Sequence, residues 1–318
     1  MKKVVHLILV AIILLYTSHV WSQQQNAVND MYVDYQAYFN TLGKSIVASK
    51  NQPLLVSAEE TLIRAARLKE DMPPANIPAV LTGKSRGISA TDIFSSRKNG
   101  VLVIGKLYKH QNGQPGVQFD IAGTGFVLSA NGICMTNYHV LKNIIHPGEA
   151  EKNDSLYFVI TNDSKLFYLT EIQAYSLNND IALFQVNTHG QQLYPIPIGS
   201  PAKVGADVYC IAHPGANLYY FSKGMVARNI TTDSLHAAAG YSAKGVKPIR
   251  MEITADYGIG SSGGPILDQY GNLIGMVSST NAINFPQVDK DGRTMQQPQM
   301  VVKDAIPLKA ILDLIRGH

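Results

Sequence analysis

From Val101 onward, apolar and polar positions alternate or fall into short apolar blocks, at the close spacing of a chain that repeatedly turns back on itself. The pattern predicts strands at 101–107, 117–121, 125–129, 133–136, 156–160, 166–174 and 181–186. A second set follows at 207–212, 221–229, 249–255, 265–267, 273–279 and 300–303, and a helix near 308–315 closes the chain. Asn131-Gly132, between two of these strands, has the composition of a tight hairpin turn, because both residues tolerate positive φ.

Residues 23–89 carry a different period. Val28, Met31, Tyr32, Tyr35, Tyr38, Phe39 and Leu42 recur at helical spacing, and the pattern stops at Gly43. Ser57 with Glu60 makes a capping box for a second helix near 58–70, and Pro73-Pro74 and Pro78 then break the pattern. The tyrosine-rich stripe reads as a packing face against the strands that follow; a removable pro-segment is the alternative.

At the start of the chain, Lys2-Lys3, the apolar run 4–16 and then Val20-Trp21-Ser22 have the order of a secretory signal peptide, cleaved after Ser22. The alternative is a membrane anchor, but the run is shorter than the roughly 20 residues that span a bilayer. The expected organisation is therefore a leader at 1–22, a helical segment at 23–89 and a domain at 90–318 in a periplasmic or extracellular protein, with no stable membrane insertion after cleavage.

Composition changes this picture little. With 318 residues, 46% of them apolar and 16% charged, the chain can bury one two-lobed domain plus an extra segment. Its net charge of +4 includes Lys2 and Lys3, so the mature chain carries +2, too small an excess to point to nucleic acid or a membrane surface. Of its two cysteines, Cys134 and Cys210 each fall within an apolar strand pattern in a different lobe, which favours buried free thiols over a bridge.

The candidate chemistry centres on Asp256-Tyr257-Gly258-Ile259-Gly260-Ser261-Ser262-Gly263-Gly264-Pro265. A serine between glycines can sit on a tight turn with Oγ exposed and neighbouring N–H groups aimed at one point, as acyl transfer requires of a nucleophile and oxyanion hole. Gly260-Ser261-Ser262-Gly263-Gly264 also fits the nucleophile elbow of α/β-hydrolases, but there the histidine follows the serine, and the only histidine after Ser262 is His318. Before it stand His139, in Thr136-Asn137-Tyr138-His139-Val140, and Asp180, in Asn178-Asn179-Asp180-Ile181. The order is then His, Asp, Ser.

These segments resemble the trypsin-like (chymotrypsin-fold) serine proteases, and among them the bacterial Deg/HtrA-type branch. Gly123-Thr124-Gly125-Phe126-Val127 with Thr136–His139 is similar to that branch's histidine motif, 208–214 to the first strand of its second barrel, and Ala305-Ile306-Pro307 to its closing segment. The likeness runs from about Ala90 to the C-terminus. It implies an all-β fold of two six-stranded antiparallel β-barrels with the site between them, a C-terminal helix and a preceding helical segment. Only 53 residues follow Pro265, and the second barrel needs most of them, so the peptide-binding PDZ module often appended in the branch is expected to be absent.

The resemblance implies a serine endopeptidase. His139 would be the general base, Asp180 its orienting acid and Ser262 the nucleophile; the N–H groups of Gly260 and Ser262 would form the oxyanion hole. Ser278, Ser279 and Thr280 would pair with the substrate main chain. Asp256 stands where enzymes cutting after Lys or Arg carry a buried acid, with small aliphatic specificity as the alternative, and Val277 argues against cutting after Glu. Ser261 is uncharged, so no newly cut terminus could pair with a carboxylate before the nucleophile. The sequence shows no metal cluster, phosphate loop or cofactor fingerprint, and the expected partners are protein or peptide substrates. A catalytically silent peptide-binding protein and an esterase remain the alternatives.

Overall fold

The computed structural model describes residues 32–49, 58–74, 86–109, 117–147, 156–231, 247–288, 290 and 292–317. The expected leader, and Ser57 of the expected capping box, lie outside them. The chain divides into two compact units, residues 1–46 and 47–318.

What is described of the first unit is essentially one helix, α1 (Tyr35–Ser49), which runs on into the start of the second. It does not stop at Gly43. An internal glycine costs a helix only about 1 kcal/mol, and the buried pair Leu42 and Ile46 continues the apolar face across it. In the second unit, α2 (Ala58–Ala65) is shorter than expected. Its end tightens into i→i−3 bonds, from Arg67 N–H to the Arg64 carbonyl and from Leu68 N–H to the Ala65 carbonyl. Helix α3 (Ala90–Arg97), unforeseen in the sequence, is capped by Ser89, whose Oγ accepts from Asp92 N–H at 3.1 Å.

Two closed barrels follow. Strands β1 (Val101–Lys109), β2 (Val117–Val127), β3 (Ile133–Thr136), β4 (Leu156–Ile160), β5 (Leu166–Ser176) and β6 (Ile181–Val186) close in the order β1-β2-β3-β6-β5-β4. Strands β7 (Asp207–Ala212), β8 (Tyr220–Thr231), β9 (Ile249–Ile253), β10 (Pro265–Leu267), β11 (Leu273–Val288) and β12 (Thr294–Pro307) close in the order β10-β11-β12-β9-β8-β7. Period-two alternation fills each interior. Leu102 and Ile104, Phe167 and Leu169, Phe184 and Val186 meet in the first core, and Val208, Cys210 and Ala212 point into the second with Met251 and Ile253. Each of the larger aliphatic and aromatic side chains among them contributes roughly 1.5–3 kcal/mol on burial. Both cysteines are free and buried, one per core, and burial pushes the Cys210 thiol up to about 12.

Two departures from the expected strands have physical causes. The separate strands at 117–121 and 125–129 are one, β2, because Ala122 is the extra residue of a bulge: Ile104 pairs with Gly123 and Gly105 with Ile121. Strands β11 and β12 run far beyond 273–279 and 300–303, pairing out to Val288 opposite Thr294 as a two-stranded ribbon. Its Asn, Gln and Pro content hides it from strand propensity, and it leaves Ile283, Phe285, Met295 and Met300 exposed. The helix expected near 308–315 spans Leu308–Arg316 and buries Leu308, Ile311 and Leu314. Among the described residues no helix is long and apolar enough to cross a membrane.

Candidate active site

His139 sits near the start of a short helix between β3 and β4, α4 (Tyr138–Ile145). That helix was not foreseen, although Tyr138, Leu141, Ile144 and Ile145 recur at helical spacing, and all four are buried. Packing of this face fixes the helix and leaves the His139 side chain 39% exposed.

Asp180 ends the turn between β5 and β6 and is buried. Its φ of 61° lies in the left-handed region, which Asp tolerates better than most residues. One carboxylate oxygen accepts from the His139 backbone N–H at 3.0 Å, and His139 Nδ1 lies 2.9 Å from the other. Ser278 Oγ donates to the same carboxylate at 3.5 Å, and Asn137 Nδ2 donates to the Asp180 carbonyl at 2.9 Å. An ionised carboxylate can only accept, so Nδ1 carries the hydrogen, and in the neutral imidazole Nε2 is left as the basic nitrogen. Burial disfavours the imidazolium, as does the charge of Lys142, but the hydrogen bond and charge of Asp180 outweigh them and raise the His139 pKa.

The serine loop is held against the first barrel by backbone contacts. Thr124 N–H donates to the Ser262 carbonyl at 2.9 Å. Gly263 (φ 84°) passes so close that a Cβ there would lie 2.2 Å from both the Thr124 carbonyl oxygen and Thr136 Oγ1. A Cβ on Gly123 would meet Val140 Cγ2 at 3.0 Å and the Ser262 carbonyl oxygen at 3.2 Å, so Ser262 and the residue after His139 flank one glycine. The structure thus joins His139 to Asp180 directly and brings the Ser262 backbone beside them. Among the described residues Ser262 Oγ makes no hydrogen bond to His139, a contact that can tighten only once substrate is bound.

Gly260 has φ 94°, a conformation open to glycine, and a Cβ there would lie 2.6 Å from the His213 carbonyl oxygen. The Ile259 carbonyl accepts from Gly215 N–H at 2.6 Å, and the Ser261 carbonyl from Gly264 N–H at 2.9 Å. Peptide planarity then turns the N–H of Gly260 and of Ser262 the opposite way. Among the described residues, no backbone hydrogen bond takes up either N–H.

Asp256 is placed differently from a buried pocket acid. Its side chain is 73% exposed, and its carboxylate is 2.7 Å from Lys303 Nζ, because β12 carries that lysine alongside it. Ser278 is buried, Ser279 half-buried and Thr280 exposed along β11, and Tyr257 Oη donates to the Ser279 carbonyl at 3.1 Å.

Several contributors escaped the sequence. Arg250, wholly buried in β9, donates from Nη2 to the Asn178 carbonyl at 3.5 Å. Burial lowers its pKa while the charges of Asp180 and Asp304 pull it back. Glu70 Oε1 accepts from Asn178 N–H at 3.3 Å and Asp71 N–H donates to the Tyr175 carbonyl at 2.9 Å, so the stretch after α2 braces the Asp180 turn. A lone buried Arg and a distant Glu carry no local spacing signal.

Two closed antiparallel barrels, with an imidazole–carboxylate pair on one and a glycine-flanked serine on the other, make up a chymotrypsin-like fold. In agreement, the solved HtrA-type protease AlgW with decapeptide superposes with a TM-score of 0.54 at 17% identity, covering 72% of this chain and 67% of that one. Residues 123–276, just under half of the chain, match the family model of the trypsin-like peptidase domain, and the chain is similar to HtrA/Deg serine proteases. Protease Do-like 1, chloroplastic, of Arabidopsis thaliana is 30% identical over 159 residues, 49% of this chain and 32% of that protein. A serine protease of Mycobacterium tuberculosis is 27% identical over 261 residues, 74% of this chain and 60% of that protein. The chain spans less than two thirds of the length of either curated relative.

Proposed function

We propose that the chain is an exported serine endopeptidase acting through His139, Asp180 and Ser262. The observation that carries the reading is the buried Asp180 carboxylate holding His139 at both its backbone N–H and Nδ1, with Nε2 left basic. Ser262 Oγ would attack the peptide carbonyl as Nε2 takes its proton; Asp180 would stabilise the resulting imidazolium. The oxyanion would be met by the Gly260 and Ser262 N–H groups, and His139 would return the proton to the leaving amine. Water would then release the acyl group by the same steps.

An extended peptide would lie along Ser278-Ser279-Thr280, and small uncharged residues would be preferred before the cut. Two observations favour this: Asp256 is already paired with Lys303, and Tyr257 bridges to Ser279, narrowing the space between the loop and β11. Residues 1–22 would direct export to the periplasm or beyond and be removed.

Fluorophosphonate labelling tests the reading. The protein should be labelled and Ser262→Ala should not, and casein should be cleaved in preference to a short-chain ester. A chain that takes no label is a silent binding protein, and one that cleaves only the ester is an esterase.

A further inference from the structure

Glycine accepts φ of either sign, so Gly260 does not by itself fix which way its flanking peptides face. Of those two peptides, the Ile259 carbonyl is held by Gly215 N–H, and the Gly260 carbonyl accepts from Thr124 Oγ1 at 2.8 Å.

Thr124 lies on β2 of the first barrel and is fully buried, yet its polar groups all reach across functional loops or their supports. Its N–H donates to the Ser262 carbonyl at 2.9 Å, and its carbonyl accepts from Thr136 Oγ1 at 2.7 Å. Its hydroxyl has one hydrogen, spent on the Gly260 carbonyl, and its lone pair accepts from His213 N–H at 3.2 Å. His213 begins the turn that contains Gly215, whose N–H holds Ile259. One hydroxyl is therefore bonded both to the loop bearing the Gly260 N–H and to the turn that orients it.

We infer that the Thr124 hydroxyl is a positioning group for the oxyanion hole, acting through Gly260 and His213 without touching substrate. The inference rests on the endopeptidase reading for its kinetic consequence, but not for its structural one. Thr124→Val keeps the shape and the backbone N–H while removing the hydroxyl, and Thr124→Ser keeps the hydroxyl.

Two measurements on the full chain test it. In peptide hydrolysis, Thr124→Val should lower kcat by about 10²-fold, the cost of a misplaced oxyanion donor, with KM little changed, and Thr124→Ser should restore most of the rate. In amide hydrogen exchange, Thr124→Val should speed exchange at 258–264 while β4 and β5 stay protected. A Val variant with near-normal kcat overturns the inference, as does Ser failing alongside Val. Exchange raised equally throughout the first barrel would mark a merely structural threonine and also overturn it. Should the parent chain neither hydrolyse peptide nor take the fluorophosphonate, the endopeptidase reading fails and the exchange result alone decides this one.

Discussion

Asp180 holds His139 from two directions, accepting its backbone N–H at 3.0 Å and facing its Nδ1 at 2.9 Å. The first bond fixes the start of α4 against the turn, and the second fixes the ring within it. Replacing Asp180 by Asn should preserve the fold, because Asn also tolerates the left-handed φ at this position. The amide would nonetheless favour the wrong tautomer of His139. Turnover should fall about 10⁴-fold, the loss known for neutralising a triad acid. An Asp180→Asn enzyme with near-normal peptidase activity would refute its role.

The raised pKa of His139 has a direct kinetic sign. The imidazole must be neutral to accept the serine proton, so kcat/KM should fall on the acid side with an apparent pKa above the ordinary 6.5. The ion pair's stabilisation should be fully present below pH 6.5 and be lost as pH rises through the folded pKa. A pH–rate profile with its acid limb below 6.5 would contradict this.

His213 titrates the other way. It is fully buried, with Nδ1 accepting from Tyr219 N–H at 2.9 Å, and burial depresses its pKa to about 3, against a weaker opposing pull from the Leu102 carbonyl. The unfolded chain takes up a proton on this histidine near pH 6.5 and the native chain does not until about 3. The contribution of this histidine to stability should therefore be full above pH 6.5 and be lost progressively as pH falls toward 3. Denaturant titrations across that window should show a shallower loss in His213→Gln, and an unchanged slope would rule this histidine out as the cause.

Cleavage-site profiling on a denatured proteome should show small uncharged residues before the cut and no Lys or Arg enrichment, since Lys303 already neutralises Asp256. Lys303→Met should free that carboxylate and raise kcat/KM for substrates with a basic residue there. Strong basic preference in the unaltered enzyme would exclude the self-paired arrangement.

No cut at the start of the first barrel should be needed for activity. Val101 is buried as the first residue of β1, paired with Phe126, and α3 leads into it through an unbroken short helical turn. Ser261, before the proposed nucleophile Ser262, is buried with Oγ accepting from Gly258 N–H at 3.3 Å, and it offers no charge to a new ammonium terminus. Fluorophosphonate should label Ser262 equally before and after limited proteolysis. Labelling that appears only after a cut between about 85 and 101 would make the preceding segment an activation peptide.

The barrels were legible because short apolar blocks recur at close spacing and send alternate residues, such as Leu102 and Ile104 or Phe184 and Val186, into one core. The imidazole–carboxylate pair was legible for another reason: His139 and Asp180 sit in motifs whose order along the chain is informative. What escaped was set by contacts distant in sequence. Thr124 meets Gly260 and Lys303 meets Asp256 across the fold, and neither pairing leaves a local pattern. The ribbon escaped because its strands need not bury a face, so Asn, Gln and Pro replace the β-branched residues that signal one.

That ribbon also limits its own stickiness. Beyond Asn281 each strand has an outer edge without a strand partner among the described residues, and such an edge can template pairing with another chain. Pro286, opposite Gln296, and Pro298, opposite Asn284, each remove an N–H from their strand. The exposed Ile283 and Phe285 therefore stand beside edges that cannot be zipped along their full length. A guest strand could add only a short run of bonds, which works against the growth of sheet between copies of the chain.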